Sequence, residues 1–277
     1  MRGPALTADE AIAGEVAREW LGEDAELTAL LAMNSSTWAV SSRAERYVLK
    51  IAAPTDAPGL EIAAWLDGQG LRTGRPLRRT VRGDRLVALL AFVDGRELGG
   101  SDADVELVGE TLGRAHALLV GAPGPEALDR WPWSWLQPDV IEDSELRQAA
   151  VDAIAAAEGL ARTATHGILH GDPAPEAFLA SDSGVALIDW GAACHGPLLY
   201  DVASASMYAG DRVLAAYART GPLAGDELAN APAFLAFRWA VQAWYFSLRR
   251  ERGDLTGLAG DEGNEKGLAD ARRALLG

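Results

Sequence analysis

His170-Gly171-Asp172-Pro173-Ala174-Pro175-Glu176-Ala177-Phe178-Leu179, followed by Val185-Ala186-Leu187-Ile188-Asp189-Trp190, is the stretch on which the reading of this sequence turns. The apolar pair Ile168-Leu169 leads into it as a short strand, and Pro173 and Pro175 hold the next turn open. The carboxylate of Asp172 is thereby fixed on a loop. The second apolar run, Val185 to Ile188, delivers Asp189 at a strand end. Either aspartate alone would read as an ordinary turn residue. Two at neighbouring strand ends, the first preceded by His and Gly, supply a pair suited to act as base and metal ligand in phosphoryl transfer.

On the N-terminal side, Thr7-Ala8-Asp9-Glu10 fits a capping box and predicts a helix from about Ala8 to Trp20. Weak alternation runs from Leu27 to Met33, Asn34-Ser35-Ser36 reads as a turn, and strands follow over Thr37 to Ser42 and Arg46 to Ile51. A helix around Leu60 to Leu66 ends at Asp67-Gly68-Gln69-Gly70. Strands over Arg78 to Val81 and Arg85 to Val93 meet at the Arg82-Gly83-Asp84 turn. Residues 1–93 therefore read as an antiparallel sheet with an inserted helix, and Asp94-Gly95 as a boundary between lobes.

Residues 94–277 read as mainly helical. Val105, Leu107, Val108, Leu112, Ala115 and Leu119 recur at close to a 3.6-residue period over Asp102 to Leu119. Further helices are expected over Ser144 to Leu160, Leu198 to Tyr208, Val213 to Arg219, Ala233 to Arg250 and Lys266 to Leu275. A small β-rich lobe followed by a larger α-helical one is an α+β arrangement, with the cleft between lobes as the default ligand site.

Composition narrows the class. The chain has 277 residues, 49% of them hydrophobic, enough for a sizeable core. The formal charge of −15 repels nucleic acid and anionic membranes, so neither is an expected partner. The same acidity is also what an Ala/Arg/Asp/Gly-rich composition produces by itself, so charge alone does not choose a substrate. Cys194, the single cysteine, excludes an internal disulfide framework and fits a reducing compartment. Met1 to Glu15 holds no apolar core of signal-peptide type, and Arg238 breaks the apolar run from Phe234 to Phe246. A soluble cytoplasmic protein is the expectation.

The catalytic stretch resembles the aminoglycoside phosphotransferase family, which also takes in choline, homoserine and macrolide kinases. The resemblance rests on His170-Gly171-Asp172, on Ile188-Asp189-Trp190, and on Gly196-Pro197-Leu198-Leu199-Tyr200-Asp201-Val202-Ala203, similar to the family's Gly-Asp-Pro-x-x-Asp-Leu-Ala. It covers His166 to Ser204 best and the N-terminal part less well. It implies a protein-kinase-like, two-lobe fold and an ATP-dependent small-molecule kinase, with GTP as an alternative donor and Mg²⁺ as the metal. By position, Asp172 would be the base, Asp189 the metal ligand, and His170 and Asp201 supports of the loop. The acceptor would be a small hydroxylated molecule, an antibiotic such as an aminoglycoside or macrolide, or a related metabolite.

One position departs from the family pattern. The Asn expected five residues after Asp172, a second metal ligand, is Ala177, whose side chain has no oxygen. Glu176 could reach the metal instead, water could fill the place, or the chain could bind nucleotide with little transfer.

The resemblance also orders the N-terminal lobe. Lys50 ends Val48-Leu49-Lys50 and would contact the nucleotide phosphates, paired with Glu61 on the following helix. A strand lysine reaching past apolar neighbours to solvent is the plain alternative. Lys50 and Lys266 are the only lysines in a chain that otherwise uses Arg. Ser35 and Ser36 lie where the family places its phosphate-covering loop, without glycine. Leu89 to Gly95 would be the hinge, its backbone near Ala91 and Val93 meeting the purine.

For the acceptor, Trp133 and Trp135 (with Trp131), and Trp239, Trp244 and Tyr245 on a late helix, offer aromatic walls for a cationic or sugar-like molecule. Core packing accounts for such spacing equally well. No Gly-x-x-x-x-Gly-Lys-Ser/Thr loop, dinucleotide fingerprint or nucleophile elbow is present. The four histidines, His116, His166, His170 and His195, are too few for a dinuclear metal hydrolase. The remaining rival is a non-catalytic binding member of the same fold, motivated by Ala177.

Overall fold

The computed structural model describes residues 7–30, 33, 35–257 and 262–277. Thr7 and Glu10 form the expected capping box: the Thr7 hydroxyl accepts the Glu10 amide at 3.2 Å and the Glu10 carboxylate accepts the Thr7 amide at 2.6 Å. Two amides that helix α1 (Ala8–Leu21) would leave orphaned are thus satisfied.

Strands β1 (Glu26–Leu30), β2 (Ser36–Ser42) and β3 (Glu45–Ala52) precede helix α2 (Ala57–Gly68), and β4 (Pro76–Arg82) and β5 (Arg85–Ala91) follow it. The five strands form one antiparallel sheet in the spatial order β1-β2-β3-β5-β4. Period-two alternation sorts its faces. Trp38, Val40, Leu49, Ile51, Val87 and Leu89 meet Ala13, Val16 and Ala17 of α1. Lys50, registered with Thr37 and Ala88, belongs to the opposite face. The predicted strand to Val93 stops at Ala91, the last residue to pair with β3; beyond it, Phe92 lies under the Arg46 guanidinium.

The rest of the chain is mostly helical. Strand β6 (Arg96–Glu97) leads to α3 (Asp102–Leu119) and α4 (Ser144–Ala161). Then come β7 (His166–Leu169), β8 (Phe178–Ser181), β9 (Gly184–Leu187) and β10 (Cys194–Pro197). The chain continues through α5 (Leu199–Ala209), α6 (Arg212–Tyr217), α7 (Gly225–Leu228), α8 (Ala231–Glu251) and α9 (Glu262–Leu276). β7 pairs with β10, and β8 lies between β6 and β9. At two and four residues, β6, β8 and β10 are too short for alternation to reveal in a sequence.

Leu112, Leu199, Val202, Tyr217, Phe234 and Phe237 form the helical core, each worth about 1.5–3 kcal/mol of burial for a large apolar side chain. Ile62 and Leu66 of α2 join this same core. The helix spliced between sheet strands is thereby anchored to the helical part. Among the described residues no helix is long and apolar enough to cross a membrane. The architecture is α+β: an antiparallel sheet packed on a larger helical region.

Candidate active site

The loop from His170 to Asp172 is held by a single buried carboxylate. Asp201, near the start of α5 and 0% exposed, accepts the His170 amide at 2.6 Å and the Gly171 amide at 3.0 Å. His116 of α3 meets the same carboxylate at 3.1 Å through Nε2, and its Nδ1 lies 2.9 Å from the Tyr217 hydroxyl. The His170 ring spans two loops: Nε2 donates to the Ile188 carbonyl at 2.8 Å while Nδ1 faces the Asp172 amide at 3.4 Å. It also packs edge-on against Trp190, 4.8 Å between centroids. The loops carrying Asp172 and Asp189 are therefore one braced unit. Gly171 is required at its centre: φ is +88°, and a Cβ there would stand 2.1 Å from the Ala192 carbonyl oxygen.

Asp189 leaves β9 in the left-handed conformation (φ 62°, ψ 59°), uncommon for a residue other than glycine. This turns its carboxylate out of the strand line. The side chain is 65% accessible and accepts from Lys50 Nζ at 2.7 Å. Asp56, in the turn before α2, lies 3.7 Å from the same ammonium. Burial would lower the Lys50 pKa, but Asp189 and then Asp56 outweigh it and the net shift is upward. For Asp189, burial pushes upward, Lys50 outweighs it, and the carboxyl settles below its ordinary range. Asp56 is shifted upward, by burial first and by Asp189, with Lys50 opposing. Gly191 leaves the space this cluster needs, since a Cβ would stand 2.8 Å from Asp56 Oδ2 and 2.9 Å from Lys50 Nζ.

One ammonium between two carboxylates leaves a negative charge to be balanced. Among the described residues no group of three or more His, Cys, Asp or Glu side chains gathers around a cation site. The accessible carboxylate of Asp189 could hold a divalent ion that takes one protein ligand and completes its shell with other oxygens. A second ion finds no such ligand at position 177. Ala177 is buried, and its carbonyl accepts the Ile188 amide at 2.8 Å. Glu176 is exposed, and its charge is felt by the Tyr208 hydroxyl.

Several anticipated residues stand elsewhere. Glu61 does not meet Lys50; it accepts both terminal nitrogens of Arg79 on β4 at 3.1 Å, because its face of α2 looks toward the sheet edge. Asp56 takes the place at Lys50. Ser36 donates to Asp9 of α1 at 2.6 Å, so its hydroxyl lies on the α1 side of the sheet, away from Lys50. The Ser35 hydroxyl lies 3.0 Å from that of Thr37, which is registered with Lys50. Asn34 falls outside the described residues. Ala91 spends its amide on the Arg75 carbonyl at 2.9 Å, whereas the Val93 amide meets no acceptor among the described residues.

The aromatic groups divide. Trp133 is core, packed on Tyr200 and Phe237 with its indole nitrogen donating to the His195 carbonyl at 3.3 Å. Trp239 packs into the seam of α4, α8 and α9. Trp135 and Trp244 are half-buried and lie 4.9 Å apart. Tyr245 accepts from Arg249 at 3.1 Å, and Asp172 is among the charges that raise its hydroxyl's pKa, after burial.

The largest omission is Arg238 of α8. Its Nη2 donates to Asp172 Oδ1 at 3.1 Å and to the Tyr208 hydroxyl at 3.3 Å. The guanidinium is 10% exposed, and its Nε has no partner among the described residues. A buried donor left unsatisfied costs about 1–3 kcal/mol. Burial opposes its charge, yet Tyr200, Asp172 and Tyr208 outweigh burial and hold it more firmly protonated. The sequence did carry a signal, the one charge within the stretch from Ala231 to Leu248, which demands a partner if buried.

A family model described as "Phosphotransferase enzyme family" matches residues 26–234. No curated protein matches the chain. Among solved structures, amicoumacin kinase hAmiN in complex with AMP-PNP, Ca²⁺ and amicoumacin superposes with a TM-score of 0.75 at 16% identity, covering 96% of this chain and 93% of that one. The microcompartment-associated aminopropanol kinase gives 0.75 at 16% identity, covering 96% and 95%. The GDP complex of aminoglycoside 2'-phosphotransferase-IIIa gives 0.70 at 14% identity, covering 96% and 99%. At these identities the likeness speaks for the fold, which is protein-kinase-like.

Proposed function

Because the chain belongs to the phosphotransferase enzyme family, we propose that it transfers the γ-phosphoryl group of ATP to a hydroxyl of a small molecule. The observation that carries this is the braced pair: Asp201 and His170 hold the loops of Asp172 and Asp189 together, with Lys50 at 2.7 Å from Asp189. In the reaction the acceptor oxygen forms a bond to the γ-phosphorus as the bond to the β,γ-bridging oxygen breaks. ADP leaves with that electron pair, and the acceptor's proton passes to Asp172 and then to water. Mg²⁺, held by Asp189 when bound, would neutralise phosphate charge.

Residues 1–93 take the nucleotide in this scheme. Lys50 meets the phosphates and is oriented by Asp56. Ser35 and the backbone of Ser36 cover them, and the Val93 amide meets the purine. GTP would use the same groups. Residues 94–277 carry Asp172 and the acceptor wall of Tyr208, Trp135, Trp244 and Tyr245. The acids Asp172, felt by Tyr208 and Tyr245, and Glu176, felt by Tyr208, favour a hydroxylated acceptor that is also cationic, such as an amino alcohol or an aminoglycoside-like or macrolide antibiotic. Such a role, in the cytoplasm, agrees with a single buried cysteine.

The test is ADP release from Mg·ATP across a panel of hydroxylated antibiotics and amino alcohols. Turnover on at least one acceptor, lost in Asp172→Ala, is expected. A second reading, nucleotide binding without transfer, is favoured by Ala177 alone. It predicts nucleotide binding with no turnover on any acceptor.

A further inference from the structure

Two departures occur together in this site. Position 177 offers no oxygen to a second metal ion: Ala177 is 4% exposed and its carbonyl is committed to Ile188. At the same time a cation has been brought to the base from the opposite side. Arg238 is the only charged residue from Ala231 to Leu248 of α8, and it stands 3.1 Å from Asp172 Oδ1. Its other partner, the Tyr208 hydroxyl at 3.3 Å, comes from α5, so the fork is set by two packed helices. The remaining carboxylate oxygen, Oδ2, takes no hydrogen bond among the described residues, and the side chain is 46% accessible.

We propose that this chain works with one divalent ion, held at Asp189, and that Arg238 supplies through Asp172 the positive charge a second ion would bring to the reacting groups. This rests on the phosphotransfer assignment above. Arg238 is a positioning residue. By occupying Oδ1 it leaves Oδ2 to receive the acceptor's proton, and it sets a permanent cation one carboxylate away from the attacking oxygen. Phosphoryl transfer depends on placed charge more than on covalent chemistry, so a pre-aimed, largely buried cation can assume part of a metal's task. Arginine suits the position because it stays protonated and is only weakly hydrated.

The first experiment counts metal. Equilibrium dialysis of Mn²⁺ with saturating AMP-PNP should give one ion per bound nucleotide in the wild type and two in Ala177→Asn. The second is kinetic. Arg238→Gln should lower kcat about 100-fold, with KM for nucleotide and acceptor within about threefold, and Arg238→Lys should recover about tenfold of that loss. Thermal midpoints and AMP-PNP affinity establish that each variant is folded, and the wild-type metal count needs no variant. Two Mn²⁺ per nucleotide in the wild type would overturn the proposal whatever the turnover. Transfer abolished by Asp172→Ala but unchanged in folded Arg238→Gln would also overturn it while leaving phosphotransfer intact. One bound ion with no transfer to any acceptor would refute the phosphotransfer assignment, and the Arg238 role with it.

Discussion

In one cluster of the site a single ammonium, Lys50, is shared by two carboxylates, Asp189 at 2.7 Å and Asp56 at 3.7 Å. In a second cluster a single carboxylate, Asp172, is held by a buried guanidinium at 3.1 Å. The first cluster keeps an uncompensated negative charge and an open face, which invites a divalent ion and polyphosphate. The second is already neutral, and its free oxygen is what it offers. On the proposed function the two clusters form two walls of one site, one to gather charge and the other to aim a base.

The sharpest way to break that division is to remove each aspartate in turn. Asp172→Ala should cut phosphoryl transfer by about 10²- to 10⁴-fold while leaving metal-nucleotide affinity nearly unchanged, and Asp189→Ala should weaken that affinity, both read by ADP release and calorimetry. Equal losses of affinity in the two variants would end the distinction. Next in size, Gly171→Ala should destabilise the fold by on the order of 3 kcal/mol in urea titration, since positive φ and a clash with Ala192 coincide. Because one brace holds both loops, this variant should impair both walls together.

Asp56→Ala should weaken nucleotide binding about tenfold, the loss expected when a charged partner of Lys50 disappears. The pH dependence belongs to the Lys50 wall as well. Asp189 is depressed below its ordinary 3.8, so its contribution to stability is present above that value and is lost as pH falls through the lower folded value. Lys50 is raised above 10.5; its contribution is present below that value and lost as pH rises through the higher folded one. Asp56, raised, opposes Asp189 in the acid range. Thermal midpoints should therefore change little on account of this cluster near neutrality and decline in strong base, while in acid the two carboxyls act in opposite directions and comparing the wild type with Asp56→Ala over that range separates them. The smallest effect is expected of Glu61→Ala, within about 0.5 kcal/mol of stability and without loss of nucleotide affinity, because its partner Arg79 is exposed.

These two walls were unequally legible in the sequence. Asp172 and Asp189 announce themselves through local chemistry, a proline-bracketed turn and an apolar strand ending in an acid. Lys50 is visible as a rare lysine at the end of an apolar strand. Asp56 and Glu61 could not be told apart by spacing, because the turn over Pro54–Asp56 decides which acid reaches Lys50. Arg238 lies 66 residues from Asp172, and an interrupted apolar helix does not say what the interruption meets. Trp133 and Trp239 show the converse failure. Their spacing fits a ligand wall and a core alike, and only packing reveals that both are structural.

The scarcity of lysine has an experimental consequence. Lys266 is paired with Asp270 on the surface of α9 and is 78% exposed, whereas Lys50 is 15% exposed and held between two acids. Isotopic enrichment of lysine side-chain nitrogen would yield two ammonium resonances, one exchanging rapidly with solvent and one sheltered. The sheltered line is an intrinsic spectroscopic reporter: its shift on adding nucleotide would time occupancy of the cleft, with the surface line as an internal standard.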